Sequence, residues 1–578
     1  MTIAHEGRQA TARIPLFASS VFVLAIVVAV LAILLCLPLS TPIGAMYWDL
    51  MIYFDAANRI FHGNVPVIDF FVPVGPLGYY LFAGGLKLFP NAQPLLLVDW
   101  SLLLVTAPIM AAILWQTERQ SRAVAFAVLI PFLVFTILPF NTKAYYPYPG
   151  SDGFGIYNRQ VCQILYTLVA ALIFVRGQRL LGVLVTVALT ALLFTKITGF
   201  VAGFLICLFA FVAGRMAFRT AVVSAIAFFA ILGGLELWDG LISNYASDIL
   251  SLLHKNSDTL LPRLLQAASR TFGISASAGL LALFLLWMDR QTLLGQCRDF
   301  VRRPSFAAVP AIINHDAFWI AAVVVAGIIF ESQNTGSQAL IFLWPVLLAV
   351  FVAHVPAAAR LSKSNMIVAI LIGATALPPF VAFLERAART YIGAFQNVAL
   401  KNDNLKTLGR VTARPEIMAR AEKMVAFYPR HTDTFDDFVR IGELPGYIFY
   451  SEFNYQLEHL MTIDRAVSDI RALEAAKGVH FNSIFELNFV DPIPYLMNRT
   501  SPKYVAIGAD PARAVPKPGS EEENAVRDVD LVLYPTCPPT PANRDLYKLY
   551  APALKNHFKI KLDACFDAYV NPRFAGKL

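Results

Sequence analysis

The stretch MYWDLMIYFDAANRIFHGNVPVIDFFVPVGPLGYYLFAGGLKLF, residues 46–89, carries the strongest signal in this chain. It lies between the first two apolar segments of membrane-spanning length and contains three acids, Asp49, Asp55 and Asp69. A connector between two spanning helices needs only a few polar residues, whereas this one is long and rich in Tyr, Trp and Phe. Its carboxylates lie where the chain leaves the hydrocarbon, so the stretch predicts a functional site.

Composition places the chain among proteins that cross the membrane several times. The 578 residues are 57% hydrophobic and 15% charged, with a mean hydropathy of +0.59, which is more apolar surface than a soluble domain buries. The formal net charge is +8, but the basic residues lie in short loops between apolar segments. That placement is a signal of membrane topology, so we expect membrane lipids and no nucleic acid as partners.

Apolar segments of bilayer length predict an α-helical membrane protein with about eleven spanning helices. They lie approximately at residues 16–37, 94–115, 123–138, 161–175, 180–195, 197–213, 220–237, 272–288, 312–330, 339–357 and 366–384. Two short helices that meet at Lys196 satisfy the positive-inside rule, whereas one long helix does not.

The positive-inside rule also predicts the orientation. Basic residues cluster in alternate loops, which places the N-terminus in the cytoplasm and the first loop, residues 39–93, outside. We therefore predict a transmembrane module at residues 1–385 and an extracytoplasmic α/β domain at residues 386–578, where a disulfide between Cys537 and Cys565 is plausible. Residues 242–265 have helical amphipathic spacing, which fits an outer helix lying on the membrane or an ordinary connector.

The acids of the first loop are the first candidates for chemistry. Asp49, Tyr53 and Ala57 fall at helical spacing, so the loop is predicted to begin as a short helix along the interface. A carboxylate near a low-dielectric boundary has a tuned pKa and is suited to proton transfer. The alternative for Asp49 is a solvated loop residue. For Asp55 and Arg59, spaced i and i+4, the alternative is a surface ion pair.

Two cations outside the first loop are candidates for phosphate binding. Tyr157, Asn158 and Arg159 begin the fourth predicted span, and Lys196 is a lone cation in apolar sequence. Arginine binds phosphate bidentately, and a charge at membrane depth marks a functional site by default. We predict that Arg159 and Lys196 hold a phosphate and that Tyr157 and Asn158 contact substrate. The alternatives are an aromatic belt at the interface and snorkelling of Lys196 to the headgroups.

The first loop resembles that of the GT-C glycosyltransferases, which include the protein O-mannosyltransferases and the aminoarabinose transferases. The match consists of Asp49, Tyr53, Ala57, Arg59, Gly63, Pro66, Asp69, Pro73 and Pro76. In that superfamily the acid after the first span is the catalytic base or part of a metal site, and the donor is usually a polyprenyl-phosphate sugar. Many relatives carry Asp-Glu where this chain has Asp49-Leu50. The role of a second acid therefore falls to Asp55 or Asp69, and the metal requirement stays open. Residues 386–578, which we name the tail, are similar to the outer domain of a largely uncharacterised bacterial GT-C-like subset. The similarity rests on residues 484–497 and 528–559.

The resemblance implies an inverting GT-C glycosyltransferase in a bacterial inner membrane. It would move a sugar from a polyprenyl-phosphate donor to a glycolipid, lipopolysaccharide or protein of the envelope on the extracytoplasmic face. It implies catalytic acids among Asp49, Asp55 and Asp69, and substrate contacts at Tyr53 and Arg59. The alternatives are a polysaccharide polymerase or ligase and a lipid or solute transporter. Transporters usually contain inverted repeats, and the sequence shows no repeat.

Overall fold

A computed structural model describes residues 19–143, 149–333, 336–355, 362–442 and 452–578, which are mostly helical. Up to residue 393 the α-helices are Ser20–Cys36, Asp49–Phe61, Leu77–Leu88, Pro94–Trp100, Leu103–Glu118, Arg122–Ile137, Ile156–Phe174, Gln178–Thr195, Ile197–Val212, Phe218–Asp239, Leu241–Lys255, Leu260–Arg270, Phe272–Met288, Arg290–Arg302, Val309–Ile313, Asp316–Glu331, Trp344–His354 and Lys363–Gly393. Beyond it they are Pro415–Phe427, Thr432–Ile441, Phe453–Lys477, Ile493–Met497, Ser520–Arg527 and Pro541–Tyr550.

Several helices have the character of membrane spans. Among the described residues, four are long and apolar enough to cross a bilayer: Pro94–Glu118, Gln178–Thr195, Phe218–Asp239 and Lys363–Gln396. A fifth candidate is the pair Ser257–Arg270 and Phe272–Met288, bent by 72°. Shorter apolar helices are Ser20–Cys36, Arg122–Ile137, Ile197–Val212 and Ile341–His354. Each predicted span overlaps a helix, and the total of about eleven spans stays a prediction.

The helix Ile156–Phe174 lies at the centre of the bundle. Almost all of its residues are buried, the polar Gln160, Gln163 and Thr167 included, because other helices surround it. That first turn carries Asn158 and Arg159, so two polar groups are held at the end of the most buried helix. Nearby, the helices Gln178–Thr195 and Ile197–Val212 meet at Lys196, whose extended backbone breaks the helix as predicted.

A small sheet joins the first loop to the tail, residues 386–578. Its strands are β1 (Thr41–Pro42), β2 (Val398–Ala399) and β3 (Val411–Ala413). Their order is β1–β3–β2; β1 pairs with β3 in parallel, and β2 pairs with β3 antiparallel. The helix Lys363–Gly393 runs through residue 385, so the last predicted span continues into the tail. The division of the chain into two domains there stays a prediction.

The tail contains a second, four-stranded sheet. Its strands are β4 (Ile484–Glu486), β5 (Leu531–Pro535), β6 (Phe558–Lys561) and β7 (Phe566–Val570), in the order β4–β5–β7–β6. Only the β4–β5 pair is parallel. The sequence of the tail predicts short apolar strands at residues 504–507 and 529–534. The strand at 529–534 is confirmed in part as β5. The predicted strand at 504–507 is wrong, because its backbone N–H groups at Tyr504 and Ile507 donate to the first loop at Asp69 O and Phe71 O.

Residues 241–270 form what we name the outer connector, the helices Leu241–Lys255 and Leu260–Arg270. Tyr245 Oη donates to Leu193 O at 2.9 Å, and Leu252 packs against the buried cluster that contains Phe71 of the first loop. Asn256 Nδ2 donates to Arg513 O at 3.1 Å in the tail. The segment therefore packs on the bundle, the first loop and the tail, yet Leu261 is 65% exposed, so a helix on the membrane and a connector both stay open.

Cys537 and Cys565 form a disulfide across 28 residues of sequence, as the sequence suggested. Closing a loop of that length restricts the unfolded chain and stabilises a fold by about 3 kcal/mol. We expect the double substitution Cys537→Ser and Cys565→Ser to lower the free energy of unfolding of the tail by about that amount. Thermal unfolding followed by tail-specific hydrogen exchange measures it. The exposed free thiol Cys297 gives a matched control, since Cys297→Ser should leave unfolding unchanged.

Candidate functional site

The first-loop helix, Asp49–Phe61, is the predicted short helix, but it does not lie exposed along an interface. Every residue from Leu50 to Arg59 is buried, so both faces are covered. Tyr47 Oη donates to Leu408 O at 3.0 Å, and the backbone N–H of Trp48 donates to Gln456 Oε1 at 2.9 Å. Both partners belong to the tail, which therefore closes over the start of this helix.

Asp49 is the first residue of the first-loop helix, where the helix dipole favours a negative charge. Its Oδ1 atom is buried and accepts no hydrogen bond within the described part of the chain. Burial raises the pKa of Asp49 to about 8, against the opposing effects of the Trp48 side chain and the charge of Arg159. A carboxylate of this kind gains or loses its proton close to neutral pH, as a general base requires.

Asp55 and Arg59 form an ion pair, as the alternative interpretation of their spacing held, but the pair is buried and not on the surface. Arg59 Nε lies 2.8 Å from Asp55 Oδ1, and both side chains are buried. Arg59 also donates to Pro502 O and lies over the ring of Phe70, with 5.3 Å to the centroid. These contacts hold Arg59 at the junction with the tail, and its contact with substrate stays a prediction. The pair is buried because the tail covers it, which i, i+4 spacing does not reveal.

Asp69 holds a turn and joins the first loop to the tail. Its Oδ2 accepts from Val65 N at 2.8 Å, and its Oδ1 lies 3.1 Å from Lys503 Nζ. Its backbone carbonyl accepts from Tyr504 N at 2.6 Å. These contacts tie Asp69 to the tail, and a catalytic role for Asp69 stays a prediction.

The Asp55–Arg59 and Asp69–Lys503 pairs should differ in their contribution to stability. We expect Arg59→Ala to lower the free energy of unfolding by about 3–5 kcal/mol, because it leaves the Asp55 charge buried and unpaired. Lys503→Ala should cost less than about 1 kcal/mol, because that pair is solvent-exposed. Thermal and denaturant unfolding of the purified protein compare the two. Equal losses of unfolding free energy in the two variants would show that Arg59 is not a buried ion-pair partner. The double variant Asp55→Leu with Arg59→Met removes both charges, so it should lose less unfolding free energy than Arg59→Ala.

Tyrosines and a buried ion pair lie next to Asp49. Tyr53, one helical turn after Asp49, is buried, with its ring centroid 5.1 Å from that of Tyr79. Arg159 Nη2 lies 3.2 Å from both carboxylate oxygens of Asp99. In the sequence, Asp99 is an acid within the second predicted span that has no obvious partner, and Arg159 is 60 residues further along the chain. The charge of Arg159 interacts with both Asp49 and Tyr53.

The predicted phosphate ligands differ in what they already contact. Arg159 Nη1 donates to Phe154 O at 3.0 Å, and Nη2 is held by Asp99, so a phosphate at Arg159 would compete with protein partners. Lys196 Nζ donates at 2.8 Å to the neutral Oδ1 of Asn158. It lies over the Tyr157 ring, 5.4 Å from the centroid, and Lys196 forms no salt bridge within the described ranges. Lys196 is therefore the better placed cation for an anionic ligand.

Close packing holds the two halves of the site together. A Cβ at Gly78 would lie 3.0 Å from Gln160 Oε1 and 3.5 Å from Tyr53 Cε1, so the helix Leu77–Leu88 packs closely on both. The first loop also reaches the break at Lys196, because Gly75 N donates to Thr195 O at 3.1 Å. The loop that carries Asp49 is thereby held against the chain next to Lys196.

The structure therefore brings together Asp49, Tyr53, Tyr157, Asn158, Arg159 and Lys196, and it places Asp55, Arg59 and Asp69 at the junction with the tail. Within the described ranges, no group of three or more His, Cys, Asp or Glu side chains is placed to hold a metal ion. The loop at residues 141–159 is predicted to face outward, and its tyrosines Tyr145, Tyr146 and Tyr148 lie outside the described residues. Asn334, in the polar turn after the helix Asp316–Glu331, also lies outside them. Sequence reasoning missed Asp99 as a partner for Arg159 and Gln456 as a contact of Trp48, since neither pairing has a local signal.

No family model and no curated protein matches this sequence. Among solved structures, the chain is similar to ArnT from Cupriavidus metallidurans in the apo state, at 13% identity and a TM-score of 0.38, covering 95% of this chain and 97% of that chain. It is also similar to ArnT from the same organism bound to undecaprenyl phosphate, at 15% identity and a TM-score of 0.24, covering 95% and 97%. A third is the archaeal oligosaccharyltransferase AglB from Archaeoglobus fulgidus, in complex with an inhibitory peptide and a dolichol phosphate. Its identity is 11% and its TM-score 0.26, with coverage of 96% and 74%.

ArnT and AglB are GT-C membrane glycosyltransferases, the superfamily that the first loop resembles.

Proposed function

We propose that this protein is an inverting membrane glycosyltransferase that takes a sugar from a polyprenyl-phosphate donor. The observation that carries the proposal is a buried carboxylate oxygen, Asp49 Oδ1, which accepts no hydrogen bond within the described ranges, in the same loop whose Gly75 N–H donates to Thr195 O beside the buried cation Lys196. Transfer from a phosphate-linked sugar needs a base for the acceptor and positive charge at the leaving phosphate. The site supplies one of each, on neighbouring elements.

In the proposed reaction, Asp49 removes the proton from an acceptor hydroxyl. The freed oxygen attacks the anomeric carbon of the donor sugar as the bond from that carbon to the phosphate oxygen breaks. The bonding pair leaves with the polyprenyl phosphate, whose negative charge Lys196 stabilises. Arg159 contributes positive charge beside Asp49 from its pair with Asp99, and Tyr53, Tyr157 and Asn158 position the sugar.

The proposed place of the reaction is the extracytoplasmic face of a bacterial inner membrane. The disulfide between Cys537 and Cys565 supports this orientation, because such bonds persist in oxidising compartments. The proposed acceptor is a glycolipid, lipopolysaccharide or protein of the envelope, since the tail that covers the first-loop helix faces the same compartment.

A donor comparison tests the proposed function. The purified wild-type chain in lipid nanodiscs is mixed with an envelope extract and given the same labelled sugar on polyprenyl phosphate or on a nucleotide. The proposal expects label in the extract only from the lipid-linked donor, with matching release of polyprenyl phosphate. Transfer from the nucleotide donor alone would contradict the donor class. If the protein reconstituted in vesicles moved the lipid-linked donor across the membrane without transferring its sugar, a transporter would be supported instead.

The pKa of Asp49 predicts how the rate depends on pH. Because its pKa is raised to about 8 and the base must be ionised, we expect kcat/KM to rise with pH through about 8. The effect on stability has the opposite sign. Because the pKa of Asp49 is higher in the folded chain than in the unfolded chain, the folded chain holds this proton more tightly. The resulting contribution to the free energy of unfolding is fully present at low pH and is lost as the pH rises through about 8.

The control for this profile is Glu458, a buried tail acid whose pKa burial also raises to about 8. Glu458→Gln should keep the wild-type rise in kcat/KM. If Glu458→Gln flattened the profile, the titrating group would not be Asp49.

A further inference from the structure

The helix Arg290–Arg302, RQTLLGQCRDFVR, is amphipathic, and we name it the basic helix. Its apolar residues recur at positions i, i+1, i+4, i+7 and i+8, which places them on one face. They are Leu293, Leu294, Cys297, Phe300 and Val301. The opposite face is polar and basic.

The apolar face of the basic helix is largely exposed, with only Leu293 and Phe300 half-buried. No residue of this helix is buried. Leu294 is 66% exposed and Val301 77%, and Phe306, just beyond the helix, is 97% exposed. Such a face is stable when another apolar surface covers it, and in this chain the nearest such surface is the bilayer.

Both ends of the segment are tied to helices at the membrane boundary. It begins where the helix Phe272–Met288 ends and returns at the helix Asp316–Glu331. His315 Nε2 lies 3.0 Å from Asp289 Oδ2, which closes residues 290–314 into a loop. The opposite ends of these two helices lie on the Asp49 side of the molecule, because Glu331 there interacts with the charge of Lys196. The basic helix is therefore on the far side of the bundle from the candidate site.

The charge of the segment indicates what covers it. Residues 290–303 contain four arginines, Arg290, Arg298, Arg302 and Arg303, against one acid, Asp299. All four arginines are exposed. A helix with an apolar face and basic flanks, held at the edge of a bilayer, matches the chemistry of an anionic lipid surface.

We propose that the basic helix lies in the plane of the leaflet opposite the candidate site, with its apolar face among the acyl chains and its arginines on anionic phospholipid headgroups. The proposal is independent of the proposed transferase activity. It assigns a lipid-binding surface to residues 290–303, a segment with the composition of an ordinary basic loop.

Cys297 offers a direct test, because it lies on the apolar face and is exposed. The other exposed free thiol is Cys36, and Cys162 and Cys207 are buried. The full-length Cys36→Ser variant, labelled at Cys297 with an environment-sensitive fluorophore, is placed in nanodiscs of phosphatidylcholine alone or with phosphatidylglycerol. We expect a blue-shifted emission and quenching by spin-labelled acyl chains in the anionic discs. The equilibrium constant for insertion should fall by about fivefold for each arginine replaced, since each contributes to binding an anionic surface.

Two matched variants complete the test. Moving the label to the polar face, with Gln291→Cys and Cys297→Ser, should give an aqueous emission in both lipids. The triple variant Arg298→Gln, Arg302→Gln and Arg303→Gln should lose the dependence on phosphatidylglycerol while its thermal unfolding stays unchanged. A water-exposed label at Cys297 in the anionic discs, or equal insertion in both lipids, would overturn the proposal.

Discussion

Asp49→Asn is expected to lower the rate of sugar transfer by about 10²–10⁴-fold, the usual contribution of a general base. The substitution keeps the shape of the side chain but removes the proton acceptor. Asp49 Oδ1 is buried without a hydrogen-bond partner in the described ranges, so the loss of charge breaks no bond at that atom. We therefore expect the variant to fold and to bind the donor lipid normally, with the loss in kcat.

The control for Asp49→Asn is Asp69→Asn in the same loop. Asp69 holds a turn and the exposed pair with Lys503, so its amide should transfer sugar at close to the wild-type rate. The rate at which labelled polyprenyl phosphate is released, at a saturating concentration of the polyprenyl-phosphate sugar, is measured for both variants. An Asp49→Asn enzyme as fast as wild type would remove Asp49 from the mechanism. A selective loss in Asp69→Asn would move the base to Asp69.

Lys196→Gln is expected to lower kcat by about 10²–10³-fold, the cost of removing one group that stabilises developing charge. Nζ already has Asn158 as a neutral partner, so the cation is available to a phosphate without breaking a salt bridge. The affinity for the lipid donor should fall as well, because the same charge binds the ground-state phosphate. Binding of polyprenyl phosphate by the detergent-solubilised protein, alongside transfer, measures both effects.

Lys87 is a suitable control for Lys196, since it lies on the neighbouring helix over the Phe61 ring, 5.1 Å from the centroid. Lys87→Gln should leave donor binding and transfer unchanged. Lys196→Arg should recover part of the binding, because it restores the charge with a different shape. Donor binding unaffected by Lys196→Gln would show that the phosphate lies elsewhere in the bundle.

Sequence reasoning located the helix that carries Asp49 because its signal is local. Asp49, Tyr53 and Ala57 fall on helical spacing, and the structure has a helix at Asp49–Phe61. The same reasoning missed that this helix is buried. Its cover comes from the tail, where Gln456 accepts a hydrogen bond from Trp48 across 408 residues of sequence. Burial by a distant segment leaves no periodicity in the buried one.

The same limit explains the Asp55–Arg59 and Asp99–Arg159 pairs. The i, i+4 spacing of Asp55 and Arg59 identified a pair but not its burial, which depends on tail contacts such as Pro502. Asp99 and Arg159 lie on different helices, and nothing in either sequence neighbourhood marks the other. Residues 504–507 have the apolar composition of a strand, yet their N–H groups bond to the first loop instead of to a sheet. Each error concerns long-range packing, while the helices themselves were predicted from local pattern.

The most direct measurement is single-turnover release of polyprenyl phosphate from a labelled polyprenyl-phosphate sugar, with an envelope extract as acceptor. Wild type, Asp49→Asn and Asp69→Asn are compared at equal protein in nanodiscs. We predict release by wild type and Asp69→Asn, and almost none by Asp49→Asn although it binds the donor. Equal release by all three would contradict the assignment of Asp49, and no release by wild type from any polyprenyl-phosphate sugar would contradict the proposed reaction.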